Sequence, residues 1–301
     1  DSASGHQMSD YINFHNKNIF IRKFIRTTID SSTILPDKFF IYFWNSLLTL
    51  IKNSVRIAQT DNNTFLVTDK YTSIEISYKK RFEYYLQNIN TRLNHLIYEY
   101  MLDQIKFFNN DVVIDCGANI GLSCLYFKKL YPKAKIMAFE DDKNIADILS
   151  KNLKKNNIED VVVFDSAVWI HDSGIEFSIE GSDGGSIQGI GEKINVPSVR
   201  LKSFLDRSNI EIDLLKIDIE GAEYEVIKDC KQSLNNVKNI FLEYHSWNSS
   251  SQKLSEILAV LEENNFRYFI NTVCGRSQPL INKGEDQNMD LQLNIFAIKQ
   301  N

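Results

Sequence analysis

The chain has 301 residues, 43% of them hydrophobic and 24% charged, which is ordinary for a globular protein and excludes disorder of the whole chain. Its formal net charge of −5 at pH 7 argues against a protein that binds mainly by neutralising phosphates, so nucleic acid is a disfavoured partner. The longest apolar stretch, residues 39–51, is much shorter than the roughly 20 residues that a membrane-spanning helix needs. No membrane span is therefore expected.

The N-terminal residues and the cysteines indicate the cellular compartment in which the protein is expected. Residues 1–7, ahead of Met8, lack the basic and apolar zones of a secretory signal, and we interpret them as an artificial remnant of expression. The cysteines show no CxxC spacing, which predicts neither a zinc cluster nor a disulfide framework; they are Cys116, Cys124, Cys230 and Cys274. A cytoplasmic location fits best.

Residues 8–108 are predicted to form an N-terminal appendage of helices and a β-hairpin. Pro36 is placed to start a helix that runs to about residue 51. Residues 55–77 then change to the alternating pattern of strands, with a turn at 61–63. Helical spacing returns over residues 81–108 and leads the chain to the next domain.

Residues 109–301 are predicted to form one α/β domain. Apolar strands alternate with helices, which indicates a parallel, Rossmann-like sheet covered on both faces; the strand segments are VVIDCG, KIMAFE, VVVFDSAV, DLLKIDIEG and NIFLEYH. The closing segments RYFINTV and LQLNIFAIK have no helix between them. They should pair antiparallel, so that the last strand runs against the others.

The strongest motif is DCGANIG, residues 115–121, between the first strand of this domain and a helix. Gly117 permits a tight turn and Gly121 permits close approach of a ligand to the backbone. Glu140 ends the second strand, 19 residues after Gly121, where an acid meets ribose hydroxyls in nucleotide-binding α/β folds. The two features together predict a ligand that contains a nucleoside.

The ligand could be a dinucleotide or S-adenosylmethionine. The GxGxxG pattern of dinucleotide sites is absent, and the carboxylate of Asp115 would repel a pyrophosphate but attract a sulfonium and an ammonium. S-adenosylmethionine is therefore the favoured cofactor. A nicotinamide-dependent oxidoreductase and a catalytically silent module that only binds the donor or a partner remain as alternatives.

The segments DCGANIG, AFE, SAV, LKIDIEGAE and LEYH, in this order, resemble the FkbM-type methyltransferase family from about Asp111 to His245. The resemblance implies a class I methyltransferase fold of seven strands, S-adenosylmethionine as methyl donor and, commonly, O-methylation of a sugar or natural product. The family usually has Pro after the acid of the second strand, whereas Glu140 is followed by Asp141 and Asp142. The turn after Glu140 is expected to differ.

The expected donor-binding residues lie at the carboxyl ends of the first four strands. They are Asp115, Gly117, Ala118, Asn119, Gly121, Glu140, Asp141, Ser166, Ala167 and Asp218. Ser166 and Ala167 would lie beside the adenine ring, although an ordinary loop explains these two equally well.

The expected catalytic residues are Asp218, Glu243 and His245. Glu243 and His245 lie two apart at the end of the fifth strand, so both side chains share one face. The reference pKa of histidine, about 6.5, suits removal of a proton from an alcohol, and His245 is the predicted base. The same three side chains could instead bind a divalent metal ion that lowers the pKa of the acceptor.

Three further segments complete the prediction. Glu220 and Glu223 begin the next helix, where Glu223 in particular is assigned to the helix dipole. The glycine-rich loop at 180–191 is a mobile flap over the acceptor or an inert hairpin tip. The acceptor is expected to be a small molecule or a glycan, and neither its identity nor the oligomeric state follows from the residues.

Overall fold

The structure is a computed structural model that describes residues 36–50, 56–61, 64–68, 73–77, 111–179, 185–186, 192–207, 211–248, 250–273, 280 and 289–300. The chain divides into two compact units, residues 1–92 and 93–301. The predicted boundary at 108/109 and the predicted helix at 81–108 lie outside the described residues or border on them, and both remain predictions.

The first unit contains one helix and a small antiparallel sheet. Its elements are α1 (Asp37–Leu50), β1 (Arg56–Asp61), β2 (Thr64–Thr68) and β3 (Ser73–Ser77), with strand order β1-β2-β3. The carbonyl of Pro36 accepts bonds from the amides of Phe39 and Phe40, so the proline stands at the start of α1. The predicted helix and hairpin are therefore confirmed, and a third strand extends the hairpin.

The second unit contains a seven-stranded sheet. Its strands are β4 (Val112–Cys116), β5 (Lys135–Glu140), β6 (Val161–Asp165), β12 (Leu214–Ile217), β13 (Asn239–Trp247), β14 (Phe266–Thr272) and β15 (Met289–Lys299). Their order across the sheet is β14-β15-β13-β12-β4-β5-β6. In this sheet β15 runs antiparallel to both of its neighbours, β13 and β14, as predicted for the last strand.

Helices were predicted at about 120–130, 144–156, 222–234 and 251–265, and the structure has helices there and one further helix at residues 201–207. They are α2 (Leu122–Leu130), α3 (Lys143–Lys155), α4 (Leu201–Arg207), α5 (Glu223–Cys230), a 3-10 helix (Lys231–Asn236) and α6 (Leu254–Glu263). Asp142 caps α3 by accepting bonds from the amides of Asn144 and Ile145. Asp142 therefore begins a helix, and it directly follows Asp141, the position at which the family usually has Pro.

The predicted third strand, VVVFDSAV, is divided in two. The amide of Ser166 donates to the carbonyl of Glu140, whereas the next amide, that of Ala167, donates to Pro197. The chain thus leaves the main sheet after β6, and β7 (Ala167–Trp169) pairs with β11 (Ser198–Arg200). Three more short strands, β8 (Ile175–Ile179), β9 (Gly185–Ser186) and β10 (Glu192–Val196), form a separate sheet; most of the predicted flap at 180–191 lies outside the described residues.

The position of the ligand crevice follows from the strand order. From β4 the chain continues outward through β5 and β6 on one side, and later returns to β12 and β13 on the other side. The carboxyl ends of β4 and β12 thus flank the point at which the order reverses, and open α/β sheets bind their ligands there. All residues of β4 and β12 are buried, so this point has a rigid support.

Membrane-spanning helices and cysteines can be described for the part of the chain that the structure covers. In the part of the chain that the structure describes, no helix combines the length and apolarity needed to cross a membrane. Cys116, Cys124 and Cys230 are free thiols and all three are buried. The fourth cysteine, Cys274, lies outside the described residues.

The sheet is packed by an aromatic cluster whose loss we expect to be costly. Phe139 is 1% exposed, stacks on Phe164 at 4.6 Å between ring centroids, and meets Phe204 edge-on at 5.2 Å. Phe139→Ala should lower the free energy of unfolding by about 3–5 kcal/mol because it leaves a cavity. Val162→Ala, on a side chain that is 54% exposed, should change it by less than about 0.5 kcal/mol in the same urea titration.

Candidate active site

The turn between β4 and α2, residues 117–121, forms the expected donor loop. The amides of Gly117 and Ala118 both donate to the carbonyl of Phe139, at 3.1 and 2.9 Å, which fastens the loop to β5. Gly117, Asn119 and Gly121 have φ values of 79°, 49° and 89°. The alternating left-handed residues fold the loop tightly in front of α2.

The carboxylate of Glu140 lies against this loop, where the sequence placed it. One oxygen, Oε2, accepts a bond from the amide of Asn119 at 2.8 Å, and the other accepts from the amide of Asp142 at 3.2 Å. Burial, together with repulsion by Asp141, raises the pKa of Glu140 well above its usual value. An acid held at the end of β5 and facing the donor loop is a suitable partner for ribose hydroxyls.

Asp141 supplies a second acceptor at the same place. Its Oδ2 is buried and has no hydrogen-bond partner among the described residues. A buried acceptor without a partner is unfavourable unless a ligand supplies a donor. A ribose carries hydroxyl donors, so the acids at the end of β5 fit the nucleoside part of S-adenosylmethionine.

Asp115 faces the protein interior, which differs from the direct donor contact expected for it. The residue is fully buried, and its Oδ1 lies 3.1 Å from the ammonium of Lys216. Its Oδ2 accepts a bond from Ser123 Oγ at 2.5 Å and a weaker one from Cys124 Sγ at 3.4 Å. The charge of Asp115 is therefore neutralised within the protein by Lys216, and a contact of Asp115 with the donor stays a prediction.

Lys216 is the residue that joins β12 to the donor loop, and the sequence analysis did not single it out. Its ammonium donates to the carbonyl of Gly117 at 2.9 Å and lies 3.5 Å from Asp218 Oδ2. The residue is 1% exposed and stands directly opposite Asp115 in the β4–β12 register. A lysine inside the apolar strand LLKI was the available indication of this role, because a buried lysine needs a partner.

The turn after β12, residues 218–221, is packed directly against the donor loop. The amide of Asp218 donates to the carbonyl of Cys116 at 3.1 Å. A Cβ atom added to Gly117 would lie 1.7 Å from the carbonyl oxygen of Asp218. The side chain of Asp218 is 28% exposed, so it faces the crevice while its backbone supports the loop.

Ser166 and Ala167 lie directly after β6, where the sequence predicts the adenine ring. Both backbone amides already donate to carbonyls, those of Glu140 and Pro197. Ala167 packs in a small apolar cluster with Ile175 and Val196. The Ser166 hydroxyl donates to the carbonyl of Asp165 at 2.6 Å, and a contact of this residue with adenine stays a prediction.

His245 is held in one orientation by Glu223. The ring nitrogen Nδ1 lies 3.0 Å from Glu223 Oε1, and the same oxygen accepts bonds from the amides of Ile219 and Gly221. The side chain of Glu223 is only 1% exposed. Its assignment to the helix dipole therefore missed its main contacts, because Glu223 fixes both the histidine ring and the turn after β12.

The other ring nitrogen of His245, Nε2, faces further acidic groups. It lies 3.7 Å from Glu220 Oε2 and 3.6 Å from Glu243 Oε1. The amide nitrogen of Gln292, on β15, donates to Glu243 at 2.5 Å and lies 3.4 Å from Nε2. The structure thus brings His245 and Glu243 together as predicted, and it adds Glu220 and Gln292.

The electrostatics of this group differ from those of an isolated histidine. Burial lowers the pKa of His245, but the carboxylates of Glu223, Glu243 and Glu220 outweigh it and hold the pKa well above its usual value. Partial burial raises the pKa of Glu220 to about 7, with Asp218 adding to the effect and His245 opposing it. The surrounding carboxylates therefore stabilise the protonated form of this imidazole more than water does.

Trp247 covers the histidine from one side. Its ring stacks on that of His245 at 5.9 Å between centroids, with an angle of 26° between the planes. Gly221 leaves room for the indole, since a Cβ atom there would lie 2.5 Å from Trp247. The indole and the turn after β12 thus restrict the access of water to the imidazole.

The fold and the site together define a class I methyltransferase. The seven-stranded sheet with a reversed last strand, the glycine loop after β4 and the acid at the end of β5 carry this assignment. A family profile described as the Methyltransferase FkbM domain matches residues 115–268, which is half of the chain. The chain belongs to this family of S-adenosylmethionine-dependent methyltransferases.

Individual relatives share 30% or less of their sequence with this chain. Methyltransferase sdnD of Sordaria araneosa is 30% identical over 52% of this chain and 74% of its own length. The 2-O-methyltransferase NoeI of Sinorhizobium fredii is 28% identical over 48% of this chain and 65% of its own length. The solved structure of M. jannaschii TYW2 in complex with AdoMet is 10% identical, with 83% of this chain and 95% of that chain covered and a TM-score of 0.43.

The close approach of the donor loop to the turn after β12 can be tested at Gly117. Gly117→Ala should lower the free energy of unfolding by more than the roughly 1–2 kcal/mol of left-handed strain, because the new methyl group meets a backbone oxygen. Gly174→Ala is the matched control, since its φ is 80° but its nearest atom would be 3.2 Å away. Urea unfolding would measure both, and equal losses would contradict the packing described.

The Lys216–Asp115 pair can be tested by a double-mutant cycle. Lys216→Met should lower the free energy of unfolding by about 3–5 kcal/mol because Asp115 is left as an unpaired buried charge. Adding Asp115→Asn should restore part of the loss, measured by urea unfolding. Lys143→Met, at a side chain that is 71% exposed, should cost less than about 0.5 kcal/mol, and strict additivity of the two buried substitutions would contradict the pairing.

Proposed function

We propose that this chain transfers the methyl group of S-adenosylmethionine to a hydroxyl oxygen of a sugar, a glycan or a natural product. The observation that carries the proposal is the His245–Glu223 pair, whose supporting turn at 218–221 is packed against the donor loop. In this proposal the pair supplies the group that accepts the hydroxyl proton beside the donor. The 2-O-methyltransferase named among the relatives supports an oxygen as the methylated atom.

The donor is proposed to lie across residues 117–121, and when bound it supplies an electrophilic methyl group. The acids Glu140 and Asp141 accept bonds from the ribose hydroxyls. Ser166 lies near the adenine, at the end of β6. Lys216 holds the loop in place. Its ion pair with Asp115 joins β12 to β4, and its hydrogen bond to the carbonyl of Gly117 joins β12 to the loop.

The acceptor is proposed to approach from the side of His245. An alcohol keeps its proton near neutral pH, so the reaction is faster when a side chain accepts that proton as the carbon–oxygen bond forms. Glu223 holds Nδ1, which directs Nε2 towards the crevice at Glu220. The raised pKa makes the neutral ring a stronger base, although the ring is protonated for more of the time.

The donor and the reaction can be tested separately. S-adenosylhomocysteine should raise the thermal midpoint of the protein, whereas NAD should leave it unchanged, because ligands stabilise only the state that binds them. Incubation with S-adenosylmethionine and a panel of oligosaccharides and hydroxylated metabolites should then yield S-adenosylhomocysteine and a methylated product, detected by mass spectrometry. Stabilisation by NAD alone would favour an oxidoreductase, and donor binding without any product would favour a silent binding module.

The role of His245 is tested with the acceptor that this panel identifies. His245→Asn should lower kcat by about 10²–10⁴-fold, the usual contribution of a general base, and should change the Kd of the donor by less than about threefold. The exposed His171 offers a matched control, since it bonds to Ser173 and Trp169 away from the cluster. Equal kcat values for His245→Asn and His171→Asn would remove His245 from the mechanism.

A further inference from the structure

Three side chains at the carboxyl ends of β12 and β13 have the spacing of metal ligands. One ligand atom each from Asp218, Glu220 and His245 lies within 4.8 Å of the other two. The His245 Nε2 to Glu220 Oε2 distance of 3.7 Å is longer than a direct hydrogen bond of about 2.7–3.2 Å. Ligands bound at about 2.1 Å from one ion lie roughly 3–4.2 Å from one another, and the 3.7 Å His245–Glu220 distance falls in that range.

The orientation of the histidine is a second, independent observation. Metal-binding histidines nearly always donate the N–H of their other ring nitrogen to a carboxylate or carbonyl, which leaves a lone pair for the ion. Glu223, with 1% of its side chain exposed, lies 3.0 Å from Nδ1 and occupies that position. The buried nitrogen Nε2 consequently faces Glu220 at 3.7 Å and Glu243 at 3.6 Å, and the amide nitrogen of Gln292 lies 3.4 Å from it.

The charges around the ring also favour a cation. Glu223, Glu243 and Glu220 each have a carboxylate oxygen 3.0, 3.6 and 3.7 Å, respectively, from a ring nitrogen of His245. Lys216 approaches Asp218 to 3.5 Å, but its ammonium also serves Asp115 at 3.1 Å. Carboxylates therefore outnumber cations within this cluster, and a divalent ion would offset their mutual repulsion.

We propose that Asp218, Glu220 and His245 bind one divalent cation, with Mn²⁺ or Mg²⁺ favoured by two hard carboxylates and a single imidazole. This set replaces Glu243, which the sequence suggested, by Glu220, because Glu243 is already bonded to Gln292. The role of the ion rests on the proposed methyl transfer: it would bind the acceptor hydroxyl and lower the pKa of that hydroxyl. With the ion bound, Nε2 is a ligand and no longer a base, so the ion would replace the imidazole in promoting loss of the hydroxyl proton. Its binding is independent of that role.

The ion is tested with Mn²⁺ alone, measured by electron paramagnetic resonance and by calorimetry on the full chain. One Mn²⁺ should bind, and Glu220→Gln and His245→Asn should each weaken binding at least tenfold. Loss of the nitrogen modulation in the spin-echo spectrum of His245→Asn would identify the imidazole as a ligand. An unchanged thermal midpoint and unchanged donor binding would show that the variants are folded.

Two controls make the ligand set specific. Glu225→Gln changes an exposed acid in the first turn of α5, the helix that follows Glu220, and should leave Mn²⁺ affinity unchanged. Glu243→Gln should weaken binding less than threefold, and a loss equal to that of Glu220→Gln would overturn the proposed set. Absence of Mn²⁺ binding at millimolar concentration, or equal affinity in Glu220→Gln, His245→Asn and the original chain, would overturn the site.

Failure of the metal site and failure of the proposed methyl transfer give different results. Methyl transfer to a hydroxyl acceptor should fall at least tenfold after chelation and should return when Mn²⁺ is added. Undiminished transfer in chelator would overturn the role of the ion while the methyltransferase proposal stands. Binding of Mn²⁺ by these residues without transfer to any hydroxyl would support the site and contradict the proposed function.

Discussion

The arrangement of this site depends on one buried cation. The ammonium of Lys216 lies between Asp115 and the carbonyl of Gly117, and it also approaches Asp218. A lysine with 1% exposure is tolerated only because these groups offset its desolvation. The ion pair therefore fixes the register of β4 against β12 and, through the Gly117 carbonyl, the conformation of the donor loop.

Two groups of acids on either side of this pair have different tasks. Glu140 and Asp141, at the end of β5, present acceptors beside the donor loop, one bonded to the loop amide of Asn119 and one without a partner among the described residues. Glu220 and Glu223, after β12, surround the imidazole of His245. The first group suits neutral hydroxyl donors of a ribose, whereas the second concentrates negative charge around one ring.

Local patterns predicted the fold well and the site in part. The helix after Pro36, the alternation of strands and helices and the reversed β15 follow from periodicity and turn residues, which act over short distances along the chain. Glu140 and His245 could be predicted to lie at the crevice because the ends of parallel strands meet at one edge of the sheet. Lys216 was overlooked and Glu223 was assigned to the helix dipole, because their partners belong to other strands.

The sequence by itself determined the order and type of the elements, the donor loop at 117–121 and the family of the protein, since these depend on neighbouring residues. Only the tertiary structure decided that Asp115 is neutralised, that Glu223 orients His245 and that the pKa of this histidine is raised. The physical reason is that charge and burial depend on contacts between segments far apart in the chain, such as Lys216 and Gly117, which are 99 residues apart. Strand register, rather than any local pattern, brings such groups together.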